Sequence, residues 1–249
     1  MAVIAGNWKM YMGPAETRAF FAALQVGAAA DRNELIIFPP TVSLGAAVSS
    51  PDRDPRVQLG VQNVHWESTG AFTGETSAIM AAEVGAKFAL VGHSERRHVF
   101  AETDEEVALK VVAARDHGLV PVVCVGETLD ERRADRVEEV ILRQLRAAVS
   151  ALAGGQGRFL IAYEPVWAIG TGETATPDDA SSAHQTLRAE LEASLGIAAA
   201  LRTPILYGGS VKPSNAAELL SAPEVDGVLV GGASLDPDSF LGIALAGGG

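Results

Sequence analysis

The sequence predicts an α/β protein in which eight parallel strands close into a (β/α)8 barrel with its helices outside. Short apolar or β-branched runs recur eight times, at 3–5, 35–38, 57–61, 88–91, 120–125, 159–162, 205–207 and 225–230. Most lack polar alternation, which is the pattern of strands buried on both faces. Segments with helical start signals separate them, and strand–helix alternation without a linker or low-complexity stretch argues a parallel sheet. The chain has 249 residues, close to the ~250 of such a barrel, and reads as a single domain, 1–249. A doubly wound open sheet is the alternative, and would gather its ligand loops at one switch point rather than around a ring.

The helices carry local signals. Thr103-Asp104-Glu105-Glu106 and Thr128-Leu129-Asp130-Glu131 are capping-box patterns, in which the hydroxyl takes one free amide and the third-position carboxylate takes another. Thr176-Pro177-Asp178-Asp179 combines an N-cap, a proline at the first helical position and acids in the first turn. Gly118 is placed to end a helix. Over 136–152 the residues Val137, Val140, Ile141, Leu145, Ala148 and Leu152 mark one face, as on a helix packed outside a barrel. Gly154-Gly155 reads as a tight turn and Ala246-Gly247-Gly248-Gly249 as a frayed end.

Composition narrows the function. Apolar residues form 48% of the chain, enough for one large core. No run approaches the ~18 residues of a membrane span, and the first residues read as a strand without a signal peptide, so a cytoplasmic protein is expected. Cys124 is the one cysteine, which excludes an intramolecular disulfide and a thiolate metal cage. Acids outnumber bases 31 to 19, a net charge of -12 that makes nucleic acid a poor partner. Any anionic small-molecule ligand needs a local positive potential to overcome that field.

The chemistry-bearing residues fall just after strands: Lys9 after the first, His93 the fourth, Glu164 the sixth, Ser210 the seventh and Gly231-Gly232 the eighth. A closed barrel would bring all of them to its carboxyl-end mouth. These positions also carry a resemblance. Gly6-Asn7-Trp8-Lys9-Met10, Val91-Gly92-His93-Ser94-Glu95-Arg96-Arg97 and Ala162-Tyr163-Glu164-Pro165-Val166-Trp167-Ala168-Ile169-Gly170-Thr171-Gly172 resemble the signature segments of triosephosphate isomerases. Tyr207-Gly208-Gly209-Ser210-Val211 and Val230-Gly231-Gly232-Ala233-Ser234-Leu235 are similar to that family's phosphate-binding segments. The five matches keep the family's order across nearly the whole chain.

The resemblance implies a TIM barrel that interconverts dihydroxyacetone phosphate and D-glyceraldehyde 3-phosphate through an enediol(ate), as in glycolysis and gluconeogenesis, without metal or cofactor. It implies Glu164 as the base that takes the carbon-bound proton, with a dry site raising its basicity. His93 would polarise the carbonyl as a neutral imidazole at a helix start, a pairing for which that family is the standard example. Lys9 beside Asn7 would stabilise negative charge, and Glu95 would hold Lys9 by an ion pair. Gly170, Ser210, Gly231 and Gly232 would present amides to the phosphate, with a short helix from Ala233. Pro165-Val166-Trp167 and Thr171-Gly172-Glu173 would hinge a lid.

Gly70-Ala71-Phe72-Thr73-Gly74-Glu75-Thr76-Ser77, with Gln62-Asn63, resembles the family's protruding third loop, which implies a homodimer with Phe72 and Thr73 in the interface. Cys124 is read as packing, since no partner histidine follows it. Tyr11, Thr76 and Glu173 depart from the commonest family pattern. His65, His98, His117 and His184 are read as structural. A Schiff-base aldolase would need a late strand-end lysine, whereas Lys87, Lys110 and Lys212 stand in helical or turn contexts. A metal enzyme would need clustered ligands, and a non-catalytic scaffold would need loss of the base or electrophile, both of which are present.

Overall fold

Each run becomes a strand because neither of its faces meets water. The computed structural model describes residues 1–152, 157–169 and 175–247. Its strands are β1 (Val3–Asn7), β2 (Glu34–Phe38), β3 (Val57–Val61), β4 (Phe88–Val91), β5 (Val120–Val125), β6 (Leu160–Tyr163), β7 (Ile205–Tyr207) and β8 (Gly227–Val230). All neighbours are parallel and consecutive, and β8 pairs with β1 from Val3↔Gly227 to Gly6↔Val230. Closure in chain order removes the doubly wound alternative. Strand limits differ from the apolar runs by one or two residues because pairing, not hydrophobicity, sets them. Asn7 pairs with Phe38 and Tyr163 with Tyr207, whereas Phe159 and Val225 lie outside the ladders.

Period-two alternation divides the core into two sets of side chains. Val3, Ala5, Ile36, Phe38, Phe88, Leu90, Val122, Cys124, Leu160, Ala162, Leu206 and Leu229 form one cluster, which fills the barrel lumen. Their chain neighbours, such as Ile4, Leu35, Ile37, Val123, Ile161 and Val228, belong to a second cluster shared with the helices. Both sets are buried, which is why the strands read as continuous apolar runs.

The helices are α1 (Pro14–Ala23), α2 (Gly27–Arg32), α3 (Thr41–Val48), α4 (Ala78–Val84), α5 (Ser94–Val99), α6 (Asp104–Asp116), α7 (Leu129–Arg133), α8 (Val137–Leu152), α9 (Pro177–Leu195), α10 (Ile197–Ala200), α11 (Ala216–Leu220) and α12 (Pro237–Ala246). Reciprocal capping boxes start α6 at Thr103, α7 at Thr128 and α9 at Thr176, as their sequences predict. Gly118 follows α6 with φ +75°, a left-handed conformation that glycine adopts without strain. On α8 the residues Val140, Ile141, Leu145, Ala148 and Leu152 are buried, and Val137 packs at the margin. The expected frayed end is corrected at Gly247, whose carbonyl accepts from Asn33 Nδ2 at 2.9 Å. Gly154-Gly155 and 248–249 lie outside the described residues.

His184 on α9 is fully buried, with Nδ1 2.8 Å from the Glu224 carbonyl and its ring edge-on to Tyr163. Nε2 has no partner. Burial pushes the imidazole down from 6.5 to about 4. The unfolded chain therefore takes up a proton between those values while the native protein does not, so stability is full above pH 6.5 and is lost as pH falls toward 4. The loss is on the order of 3 kcal/mol. Denaturant titrations near pH 7 and near pH 5 should show a steeper loss for the native sequence than for His184→Gln, and equal losses would refute the assignment.

Candidate active site

Toward the carboxyl ends of the strands, polar residues take over inward positions. Inward alternation along β6 runs Leu160, Ala162, Glu164, and along β1 it runs Val3, Ala5, Asn7. Around the mouth these meet His93 after β4, Ser210 after β7 and Gly231-Gly232 after β8. Together with Lys9, Ile169, Gly208, Lys212 and Leu229 they line a cavity of about 280 Å³.

Glu164 and His93 form the floor. His93 Nε2 lies 2.9 Å from Glu164 Oε1, and the Ser94 amide donates to Glu164 Oε2 at 2.9 Å. His93 caps α5, and its Nδ1 accepts from the Glu95 amide at 3.2 Å. That amide needs the Nδ1 lone pair, so the ring's proton sits on Nε2 and points to the carboxylate. Burial disfavours ionised Glu164, but His93 and the Ser94 amide outweigh it and hold the carboxyl below its ordinary range. The expected rise in basicity is thus corrected for the resting site. Burial also disfavours a charged His93, while the Glu164 carboxylate favours it and prevails, so the ring lies above its usual range. That upward pull lasts only while the carboxylate stays in contact; burial and the Glu95 amide both favour the neutral ring.

Lys9 occupies a left-handed backbone conformation, φ 51°, unusual for a side-chain-bearing residue. Its amide donates to Asn7 Oδ1 at 3.0 Å, and its carbonyl accepts from Gln62 Nε2 at 2.8 Å. The ammonium then reaches Glu95 Oε1 at 2.6 Å. A strained backbone held at both its amide and its carbonyl is typical of a functional residue. Across the mouth, a 3₁₀ turn at Gly232–Leu235 follows β8. Trp8 Nε1 donates to the Ser234 carbonyl at 3.0 Å and Ser234 Oγ to the Gly231 carbonyl at 2.7 Å, tying this turn to the Lys9 loop. Gly170 and the second hinge, Thr171-Gly172-Glu173, lie outside the described residues. At the first hinge, Val166–Ala168 forms a 3₁₀ turn after Pro165.

Several contributors escaped the sequence reading. A Cβ on Gly126 would stand 1.8 Å from the Glu164 carbonyl oxygen, and one on Gly208 would stand 2.9 Å from Glu164 Cγ. Glu164 is therefore wedged between two positions that tolerate no side chain. Gln144 of α8, buried, grips Gly126 through both its amide and its carbonyl. Glu127, buried, accepts from Tyr163 Oη at 3.1 Å and Trp167 Nε1 at 2.8 Å, and burial raises its carboxyl above the ordinary range. Lys110 is helical as read, but it is also buried and paired with Glu102, which accepts from the Gly92 amide before His93. The glycines after β5 and β7 were the available signal; the acids carried none.

The remaining candidates fall away. His65 Nδ1 accepts from the Glu67 amide, and His117 Nδ1 lies against the Ala113 carbonyl. Cys124 fills the lumen, and burial pushes its thiol far up, so it is no nucleophile. Among the described residues no His, Cys, Asp and Glu group could hold a metal ion. A larger cavity of about 640 Å³ at the other barrel end is lined by Arg53, Arg56, Lys87, Arg158 and Glu34. Its guanidiniums are already engaged: Arg56 by Asp54 and Asp31, Arg158 by Glu34, and Arg53 by backbone carbonyls. It has no base–imidazole pair.

Comparison with known proteins agrees with this geometry. The family model described as triosephosphate isomerase matches residues 2–246. The triosephosphate isomerase of Solibacter usitatus is 49% identical over 243 residues, covering 97% of both chains. That of Halorhodospira halophila is 50% identical over 97% of this chain and 96% of its own. The Roseiflexus castenholzii enzyme is 47% identical over 97% and 95% respectively. The chain, a closed barrel with this mouth, belongs to the triosephosphate isomerase family.

Proposed function

We propose that Glu164, His93 and Lys9 perform the family's reaction, interconversion of dihydroxyacetone phosphate and D-glyceraldehyde 3-phosphate. The observation that carries the assignment is the 2.9 Å contact between a buried carboxylate and an imidazole on the floor of a cavity walled by Lys9. Substrate cannot lie between groups in hydrogen-bond contact, so its carbonyl oxygen takes over the His93 Nε2–H and Glu164 moves to the carbon. Released from its imidazole, the buried carboxylate becomes more basic and removes the proton. The electron pair passes to the carbonyl oxygen, where His93 donates and the Lys9 ammonium stabilises the enediolate. His93 gives its Nε2 proton to that oxygen and takes one from the neighbouring hydroxyl, whose oxygen becomes the new carbonyl. Return of the proton from Glu164 to the adjacent carbon completes the isomerisation. Asn7 positions Lys9 through its amide, and Glu95 through the ion pair.

Amides at Ser210, Gly231 and Gly232, with Gly170 from the lid segment, receive the phosphate. Among the described residues, a Cβ on Gly232 would meet no atom within 4 Å, and one on Gly231 only Lys9 Cε at 3.7 Å. Packing therefore does not demand glycine there, while close approach of a ligand to the amides does. Isomerisation of glyceraldehyde 3-phosphate, measured at neutral pH without added metal, tests the assignment. Glu164→Gln keeps the shape and should lower kcat by about two to four orders of magnitude. A variant of near-native kcat would remove Glu164 from the role of base.

A homodimer, with Phe72 and Thr73 of the third loop in its interface, is supported by an apolar surface beside the mouth. Met10 is 92% exposed, Val42 76% and Phe72 42%. A second cavity of about 310 Å³, lined by Lys9, Gln62, Glu95, Arg96 and Phe100, opens on that side. The Phe72 ring lies tilted against His65, with centroids 4.0 Å apart, and this contact ties the loop to the body of the barrel. Sedimentation should give twice the chain mass, and Phe72→Asp with Thr73→Lys should yield a monomer of much lower activity; a native monomer would end this reading. A single 1–249 domain is supported by the ring that β1 and β8 close. A cytoplasmic location is supported by a reaction of central carbon metabolism and one buried thiol, and no described helix is long and apolar enough to cross a membrane.

A further inference from the structure

The cavity that holds Glu164 has two cations on its wall, Lys9 and Lys212, and they are not equivalent. Lys9 sits 2.6 Å from Glu95, with Glu164 as a second carboxylate on the same wall. Its charge is answered before any ligand arrives. Lys212 is exposed, and among the described residues its ammonium has neither ion pair nor hydrogen bond. Its backbone is nevertheless fixed. The Lys212 amide donates to Asn215 Oδ1 at 2.8 Å, Asn215 Nδ2 donates to the Ser210 carbonyl at 3.0 Å, and Val211 is buried. The root of the side chain is thus clamped at the rim beside Ser210 while the stem and its charge stay free.

A protein of net charge -12 repels a phosphate dianion at long range. Within a Debye length, ~8 Å at physiological salt, local charges decide instead. We propose that Lys212 is the steering cation of this pocket, raising the encounter rate of the phosphorylated substrate and taking no part in proton transfer. The proposal rests on the reading of the pocket as a triose phosphate site. A single uncancelled charge at a concave rim should act at the lower end of electrostatic steering, about three- to tenfold in association rate.

The test compares kcat and kcat/KM across ionic strength for the native enzyme, Lys212→Gln, Lys212→Arg and Lys87→Gln. Lys87, exposed at the opposite end of the barrel, removes the same charge far from the mouth. Lys212→Gln should lower kcat/KM about three- to tenfold at low salt, with kcat held within about twofold and the gap closing at ~0.5 M salt. Lys212→Arg should restore the native profile and Lys87→Gln should leave it unchanged. Coincident profiles for Lys212→Gln and Lys87→Gln, or a deficit that persists at high salt, would overturn the proposal. Inorganic phosphate, assayed as a competitor of the native enzyme, separates the two readings. If it fails to compete, the pocket assignment itself falls; if it competes while the profiles coincide, only the role of Lys212 falls.

Discussion

Closing eight parallel strands into a ring gives every strand an inner and an outer face and leaves neither to water. The inner faces have to fill a lumen, which they do with small and branched residues around Phe38 and Phe88. At the carboxyl ends this packing stops, and five of the positions that continue the inward alternation line the mouth or adjoin Glu164: Asn7, Gly126, Glu164, Gly208 and Gly231. Three are glycines. Two of those have no room for a side chain because Glu164 occupies it. The same alternation that builds the apolar plug therefore ends in a hollow with a carboxylate on its floor, and no separate device is needed to bury that carboxylate.

Burial alone would make Glu164 and His93 both neutral. Contact between them reverses this for the carboxylate, so the resting site stores an ionised base that is too well satisfied to be reactive. Removing one partner of such a pair without replacement leaves a buried charge uncompensated. A substrate carbonyl does this, since its oxygen takes over the Nε2–H and leaves the buried carboxylate without that partner. Basicity at Glu164 is then a consequence of occupancy, and the empty enzyme does not hold a strong base facing water.

Charge follows the same logic on the phosphate side. Most cations near the mouth are already matched: Lys9 with Glu95, Arg96 with Glu102, Arg97 with Asp104. An acidic protein that held its substrate with more paired lysines would gain little, because each would arrive with its carboxylate. Backbone amides have no counter-ion and cannot be neutralised, so glycine-rich turns give an anion site that the global charge does not cancel. In the proposed site, steering and holding are thereby separable tasks, one for an ammonium and the other for fixed dipoles.

The eight strands were legible because burial on both faces writes itself into composition, and helix starts were legible because Thr103, Thr128 and Thr176 satisfy amides only three residues away. Glu164, His93 and Lys9 could be found because strand ends converge in a closed ring. What the sequence hid is interaction across the fold. Gln144 meets Gly126 from the middle of an apolar helix face, where a glutamine reads as an interruption. Glu127 joins Tyr163 and Trp167, 36 and 40 residues away, and nothing in its local pattern separates it from a solvent-facing acid. The resting state of Glu164 was hidden for the same reason. Its sign depends on whether His93 touches it, and two residues 71 positions apart acquire that contact only when the ring closes.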